Sequence, residues 1–143
     1  WDGAGNATLR DSDVIFFNNL YHRSGNIRLT GDNRTGAGDG DDEQIIVKLN
    51  SLSNDYQKIV FIVQIYEGIK NNQHFGQVDN AFIRAVDASG KEMVRFDLSG
   101  KGYDQQRSLL FAELVREING WKFNALGQSS ASDNFLEWLK EYV

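Results

Sequence analysis

The stretch SLLFAELVREINGWKFNAL, residues 108–126, decides the fold. Its leucines satisfy a helical period as well as a strand pattern, so periodicity alone leaves it open. Asn119-Gly120 settles the choice. That dipeptide favours the type I′ turn whose twist matches two paired strands, and WKFNAL beyond it alternates apolar with polar side chains. The segment therefore reads as a β-hairpin.

Working outward, AFIRAVD at 81–87 and EMVRFDL at 92–98 alternate cleanly about the turn ASGK and read as two further strands. KIVFIVQIYEG at 58–68 is almost continuously apolar, as a strand buried on both faces would be. IIVKL at 45–49 is a short strand. VIFFNNL at 14–20, rich in β-branched and aromatic residues, is separated by SGN from IRLT at 27–30, which predicts a hairpin. DGAGN at 2–6 reads as a turn and NNQHFGQVDN at 71–80 as a loop. Near the end, SDNFLEWLKEYV at 132–143 carries a Ser or Asp N-cap and places Phe135, Leu136, Leu139 and Val143 at helical spacing. A short terminal helix should cover an edge or open end of the sheets. About seven short strands with Gly-rich turns and no alternating helices predict an all-β fold, an antiparallel β-sandwich with a short C-terminal helix.

The 143 residues suit one domain. No apolar run approaches bilayer length, so membrane insertion is not expected, and the first residues lack a signal core. The absence of cysteine removes disulfides, thiolate metal sites and Cys nucleophiles, and favours a cytoplasmic location. A net charge of −5 argues against nucleic acid as a partner, because such modules present a clustered basic face.

Most of that negative charge sits in GDNRTGAGDGDDE, residues 31–43, where five acids face only Arg34. Calcium takes oxygen ligands in flexible geometry, and glycines let a backbone turn its carbonyls toward an ion. Solvated loops are also built from Asp, Asn and Gly, so composition leaves both a cation cage and a polar loop open. Asp32 and Glu43 have the twelve-residue span of an EF-hand, but Arg34, Gly36 and Ala37 occupy its third, fifth and sixth places and no helices flank it. Asn18 and Asn19 end the strand leading toward this loop. Their amides, with Asp32 and Asn33, would add oxygens to those of Asp39, Asp41, Asp42 and Glu43.

Nothing forms a recognisable catalytic motif. His22 and His74 are far apart and outside any nucleophile elbow or His-Glu-x-x-His helix, and read as solvent-exposed or loop-packing side chains. GAGDGDD lacks the lysine of a phosphate loop, so a nucleotide there would need a metal bridge. Gln77, Asp79 and Asn80 read first as turn-stabilising groups near Gly76. Trp121, Phe123 and Trp138 read as core or helix-docking residues.

The order FFNNL, TGDNRTGAGDGDDEQIIVKL, KIVFIVQIYEG, HFGQVDNAFIRAVD and LLFAELVREINGWKFNALGQ across residues 13–128 resembles the TerD family of tellurium-resistance and stress-response proteins. The resemblance implies a calcium-binding β-sandwich without established enzymatic activity. It implies two neighbouring calcium ions held by acidic loops, one contribution coming from Asp32, Asn33, Asp39, Asp41, Asp42 and Glu43, with Asn18 and Asn19 beside them. The family typically begins earlier, with strands and a Gly-Trp-Asp…Asp-Leu-Asp motif supplying further ligands. This sequence therefore reads as a single TerD-like domain, 1–143, incomplete at its N-terminus, its first strands either removed or not included; if they are truly absent, one calcium site should be weakened and one sandwich edge left unpaired, which invites self-association. Ala37 stands where the family commonly has Glu, and the C-terminal segment is more amphipathic than the family's Gly-rich ending. The expected partners are calcium and other stress-response proteins. A metal-dependent binder of a small anion or nucleotide, or a structural subunit joined through an open sheet edge, is the alternative.

Overall fold

The computed structural model describes residues 11–30, 43–77, 81–99 and 101–140. Their strands are β1 (Ile27–Leu29), β2 (Ile45–Val47), β3 (Lys58–Gln64), β4 (Phe82–Val86), β5 (Glu92–Asp97), β6 (Ser108–Glu117) and β7 (Gly120–Ser130), followed by α1 (Leu136–Leu139). The pairs β1–β2, β3–β6 and β4–β5 are antiparallel. The chain divides into two compact units, one holding the described residues up to Gln57 with the hairpin tip Ile118–Trp121, the other holding Lys58–Glu117 and the segment from Lys122 onward.

In the larger unit, β3, β6 and β7 form one sheet in that order, and β4 with β5 forms a second. The ambiguous stretch 108–126 is the β6–β7 hairpin. Its turn differs from the type I′ expectation: Ile118 and Asn119 make the turn without positive φ, and Gly120, at φ +150°, opens β7. Strand β6 lies between two neighbours, so its first five residues, Ser108 to Ala112, are buried. A bulge skips Phe111 in the pairing with β3, bringing Leu109, Phe111 and Ala112 into one apolar cluster with Phe75 and Leu98. The inward residues of the second sheet, Ile83, Ala85, Val94 and Phe96, pack on that cluster. Sheet faces sheet, as the alternation predicts. Each fully buried leucine contributes about 1.5–3 kcal/mol by leaving water.

Three boundaries differ from expectation. Strand β3 ends at Gln64 because the chain turns through residues 66–72, with Glu67 and Asn72 at positive φ. The terminal helix is shorter, Leu136–Leu139. Asn134 Oδ1 accepts the Leu136 N–H at 3.1 Å, and Trp138 rather than the exposed Leu136 docks the helix, its Nε1–H donating to Ser108 Oγ at 3.0 Å. Ser108 is paired with Gln64, whose Oε1 accepts the Phe135 N–H, so this tail covers the end of the β3–β6 ladder. Finally, residues 14–20 are not a strand.

Candidate metal centre

The smaller unit is built on β1 and β2, paired through Ile27–Val47, Arg28–Ile46 and Leu29–Ile45. A third segment, residues 20–22, joins β1: Tyr21 bridges Arg28, Leu29 N–H donates to Leu20 O, and His22 N–H donates to Ile27 O. The expected hairpin is therefore present only in its last residues. Upstream the chain is held back by Asn19. Its N–H bonds Phe16 O, its carbonyl accepts the Phe16 N–H, and its Nδ2 donates to Val14 O at 2.8 Å and Ser12 O at 3.4 Å. An amide side chain that satisfies two carbonyls competes with the ladder and curls the chain into a turn.

At one end of this sheet Thr30 N–H donates to Gln44 O at 2.9 Å and Gln44 N–H donates to Thr30 Oγ1 at 3.1 Å. Those two bonds form the neck from which residues 31–43 leave and return. Asp32, Asn33, Asp39, Asp41 and Asp42 lie outside the described residues. Glu43 is described, exposed and adjacent to the neck. Leu20 O accepts the Leu29 N–H, so Asn18 and Asn19 directly precede the ladder end nearest the neck, where Asn19 turns back to pair with Phe16. Both asparagines thus belong to the loop's end of the sheet. Asn18 is exposed, and Asn19 has committed its NH2 to carbonyls, leaving the amide oxygen as the acceptor end. Among the described residues no three His, Cys, Asp or Glu side chains gather as a metal site.

The opposite end is tied by a buried histidine. His22 Nδ1 receives the Ser24 hydroxyl at 2.7 Å and the Ser24 N–H at 3.2 Å, so the ring proton sits on Nε2 and donates to Asp13 Oδ1 at 3.1 Å. Tyr56 O–H donates to the same oxygen at 3.1 Å, Arg23 Nη2 donates to Tyr56 Oη at 2.9 Å, and the rings of His22 and Tyr56 meet edge to face. The hydrogen bond to Tyr56, more than any charge nearby, holds the Arg23 guanidinium above its ordinary value. With both ring nitrogens engaged, His22 joins residues 13, 24 and 56 and acts as a clamp, and of its exposed and loop-packing readings the buried ring takes the second. The roles of Asp13, Ser24 and Tyr56 escaped the sequence reading; His22-x-Ser24 was their one local signal.

His74, in the larger unit, is equally committed. Its Nδ1 accepts the Gln105 N–H at 3.2 Å, with Asp104 Oδ1 3.4 Å away. Gly76 is required beside them, since a Cβ there would lie 2.7 Å from Asp104 Oδ1 and 3.0 Å from His74 Nδ1. Gln77 N–H closes a backbone turn on His74 O, while Asp79 and Asn80 lie outside the described residues.

The TerD domain profile matches residues 3–142. The chain belongs to the TerD family. It is 65% identical over 140 residues to the tellurium resistance protein TerX of Serratia marcescens, covering 97% of this chain and 66% of that protein. It is 45% identical to the same organism's TerD, covering 90% of this chain and 67% of the relative, and 40% identical to a Bacillus subtilis stress response protein, covering 92% and 66%. The chain thus spans about two thirds of the length of these relatives. A solved Streptomyces coelicolor homologue of the telluride resistance protein TerD superposes with a TM-score of 0.66 at 25% identity, over 80% of this chain and 66% of that one. A solved protein of unknown function gives 0.73 at 24% identity, over 92% and 78%, and supports the fold alone. The TerD match extends on both sides of the 13–128 stretch whose motifs carry the resemblance. Among the described residues no helix is long and apolar enough to cross a membrane.

Proposed function

We propose that this TerD domain binds calcium through the loop 31–43 and serves as a stress-response interaction module without catalytic activity. The observation that carries the reading is the neck: Thr30 and Gln44 close a segment holding five carboxylates onto one end of a three-pair ladder. That donor set fits the ion. It offers carboxylate and amide oxygens and no sulfur, which suits a hard cation. Asp32, Asn33, Asp39, Asp41, Asp42 and Glu43 would hold it, with Asn18 and Asn19 nearby. The ion would supply charge neutralisation and order, and the ordered loop would form a surface for other stress-response proteins. Reading the protein as a non-enzyme rests on the engagement of both histidines in structural bonds.

A ligand that binds only the folded state stabilises it by about 2.7 kcal/mol at a hundred times its Kd. Calcium titration followed by calorimetry and hydrogen exchange tests the proposal. Heat uptake should saturate and fall sharply in Asp41→Ala/Asp42→Ala. Exchange should slow first at Ile27–Leu29 and Ile45–Val47, the strands that carry the loop. No saturable binding at physiological ionic strength, or binding indifferent to the double substitution, would refute it.

A further inference from the structure

A groove of about 310 Å3 opens on the exposed face of the β1–β2 sheet, lined by Tyr21, Gly25, Asn26, Arg28, Ile46 and Lys48. The pairing explains how it forms. Tyr21 bridges Arg28 and Arg28 pairs with Ile46, so these three side chains make one row across three strands. Lys48 follows Ile46 by two residues and returns to the same face, diagonal to Arg28. Diagonal neighbours on a sheet are about 7–8 Å apart, close enough for two long cationic side chains to meet on one ion. The Lys48 N–H bonds Asn26 O, so the groove extends toward the sheet end away from the Thr30–Gln44 neck.

The protein carries −5 overall, and Lys58, Lys70, Arg84 and Arg95 each face a carboxylate. Among the described residues, no carboxylate within ion-pairing distance accompanies Arg28 or Lys48. Beside them Tyr21 is 65% exposed, an aromatic surface with a hydroxyl at its tip. Two adjacent cations repel unless an anion lies between them, and a planar guanidinium beside an ammonium matches a phosphate dianion in both charge and geometry.

We propose that this groove binds a small phosphomonoester, its phosphate held between Arg28 and Lys48 and an attached ring lying against Tyr21 and Ile46. Ligand cavities begin at about 300 Å3, so the space suits one ring and its phosphate. The site uses no residue of the acidic loop, and stands or falls separately from calcium binding there.

The test is an amide-shift titration of the full chain with phenyl phosphate, inorganic phosphate and phenol, each with excess calcium and again with a chelator. Phenyl phosphate should give saturable shifts centred on residues 21, 25–28 and 46–48, unchanged by chelation. Phosphate should bind the same residues more weakly, and phenol not at all. Arg28→Gln and Lys48→Gln should each weaken binding roughly tenfold, the loss of one charge-assisted hydrogen bond, and Lys48→Arg should retain it. Both side chains are exposed, so thermal melts of the variants should match the parent. Three results would overturn the proposal: no saturable shifts, binding by either Gln variant as tight as the parent's, or binding that vanishes on chelation, which would assign the anion to a loop-bound cation instead. Equal affinity for phosphate and phenyl phosphate would remove the ring from the site.

Discussion

Replacing Gly127 with alanine tests the packing of the sandwich at one atom. Gly127 sits within β7 at φ +67°, and a Cβ built on it would lie 2.9 Å from Phe96 Cζ and 3.1 Å from its Cε1. Two costs add. An L-residue in the left-handed region loses about 1–2 kcal/mol, and forcing a methyl into a filled core costs about 1–3 kcal/mol. A less flexible unfolded chain offsets about 0.4–1 kcal/mol. The net destabilisation is therefore about 1–5 kcal/mol. The Phe96 ring cannot simply swing away, because it meets Phe111 edge to face at 5.6 Å, and Phe111 in turn meets Phe123 at 6.1 Å. Gly90 supplies the control. It too has positive φ, +88°, but an added Cβ would meet nothing within 4 Å, so Gly90→Ala carries the backbone cost alone. Urea unfolding followed by tryptophan fluorescence measures both variants. Gly127→Ala should exceed Gly90→Ala by about 1–3 kcal/mol. Equal destabilisation would show that Phe96 does not press on β7, and the account of sheet-on-sheet packing would fail.

Three further substitutions probe the elements around the site. Trp138→Phe removes the donor to the fully buried Ser108 hydroxyl, and should cost about 1–3 kcal/mol in urea unfolding while freeing the C-terminal segment to faster hydrogen exchange. Tyr56→Phe deletes the bond to Asp13 and the acceptor of Arg23, so it should destabilise by about 1–2 kcal/mol and shift the His22 ring resonances in an NMR spectrum. Asp87 accepts the Ser89 hydroxyl and the Lys91 and Ser89 N–H groups, and these bonds lower its carboxyl below the ordinary aspartate value, the Ser89 hydroxyl most of all. A depressed carboxyl stabilises the fold above its unfolded pKa, and that contribution disappears as pH falls through the folded one. A carbon-detected titration should find Asp87 low in the parent and returned toward the ordinary value in Ser89→Ala.

How far the sequence discloses this molecule depends on how local each determinant is. The β6–β7 hairpin is legible because alternation and Asn119-Gly120 lie within one short stretch, although the turn itself forms one residue earlier than the dipeptide suggests. Residues 14–20 misled for a physical reason. Val14, Ile15, Phe16 and Phe17 have strand propensity, yet Asn19 binds the carbonyls of Ser12 and Val14 and wins over propensity by closing a turn. The terminal helix is shorter than its apolar spacing implies because Trp138, through Ser108, rather than the exposed Leu136, fixes its position. The His22 clamp was illegible: Asp13 and Tyr56 are 43 residues apart, and only the folded chain brings them to one imidazole.

The sheet in the smaller unit shows why that clamp matters for the acidic loop. Three paired residues in each of two strands make a ladder too short to be stable by itself in water. At its far end the ladder is held by His22 and its partners, and at its near end by the two bonds between Thr30 and Gln44. Five carboxylates between those last two residues oppose closure of the neck, since bringing like charges together costs energy whether or not each side chain is exposed. The clamp can offset that cost at a distance, but only a cation can remove it at its source. On the proposed reading, therefore, calcium acts on the least supported end of the smallest sheet, where a given binding energy changes the population of the closed neck most. The turn closed by Asn19 precedes the ladder at that end, and it is tied through Ser12 and Val14 to the segment that carries Asp13.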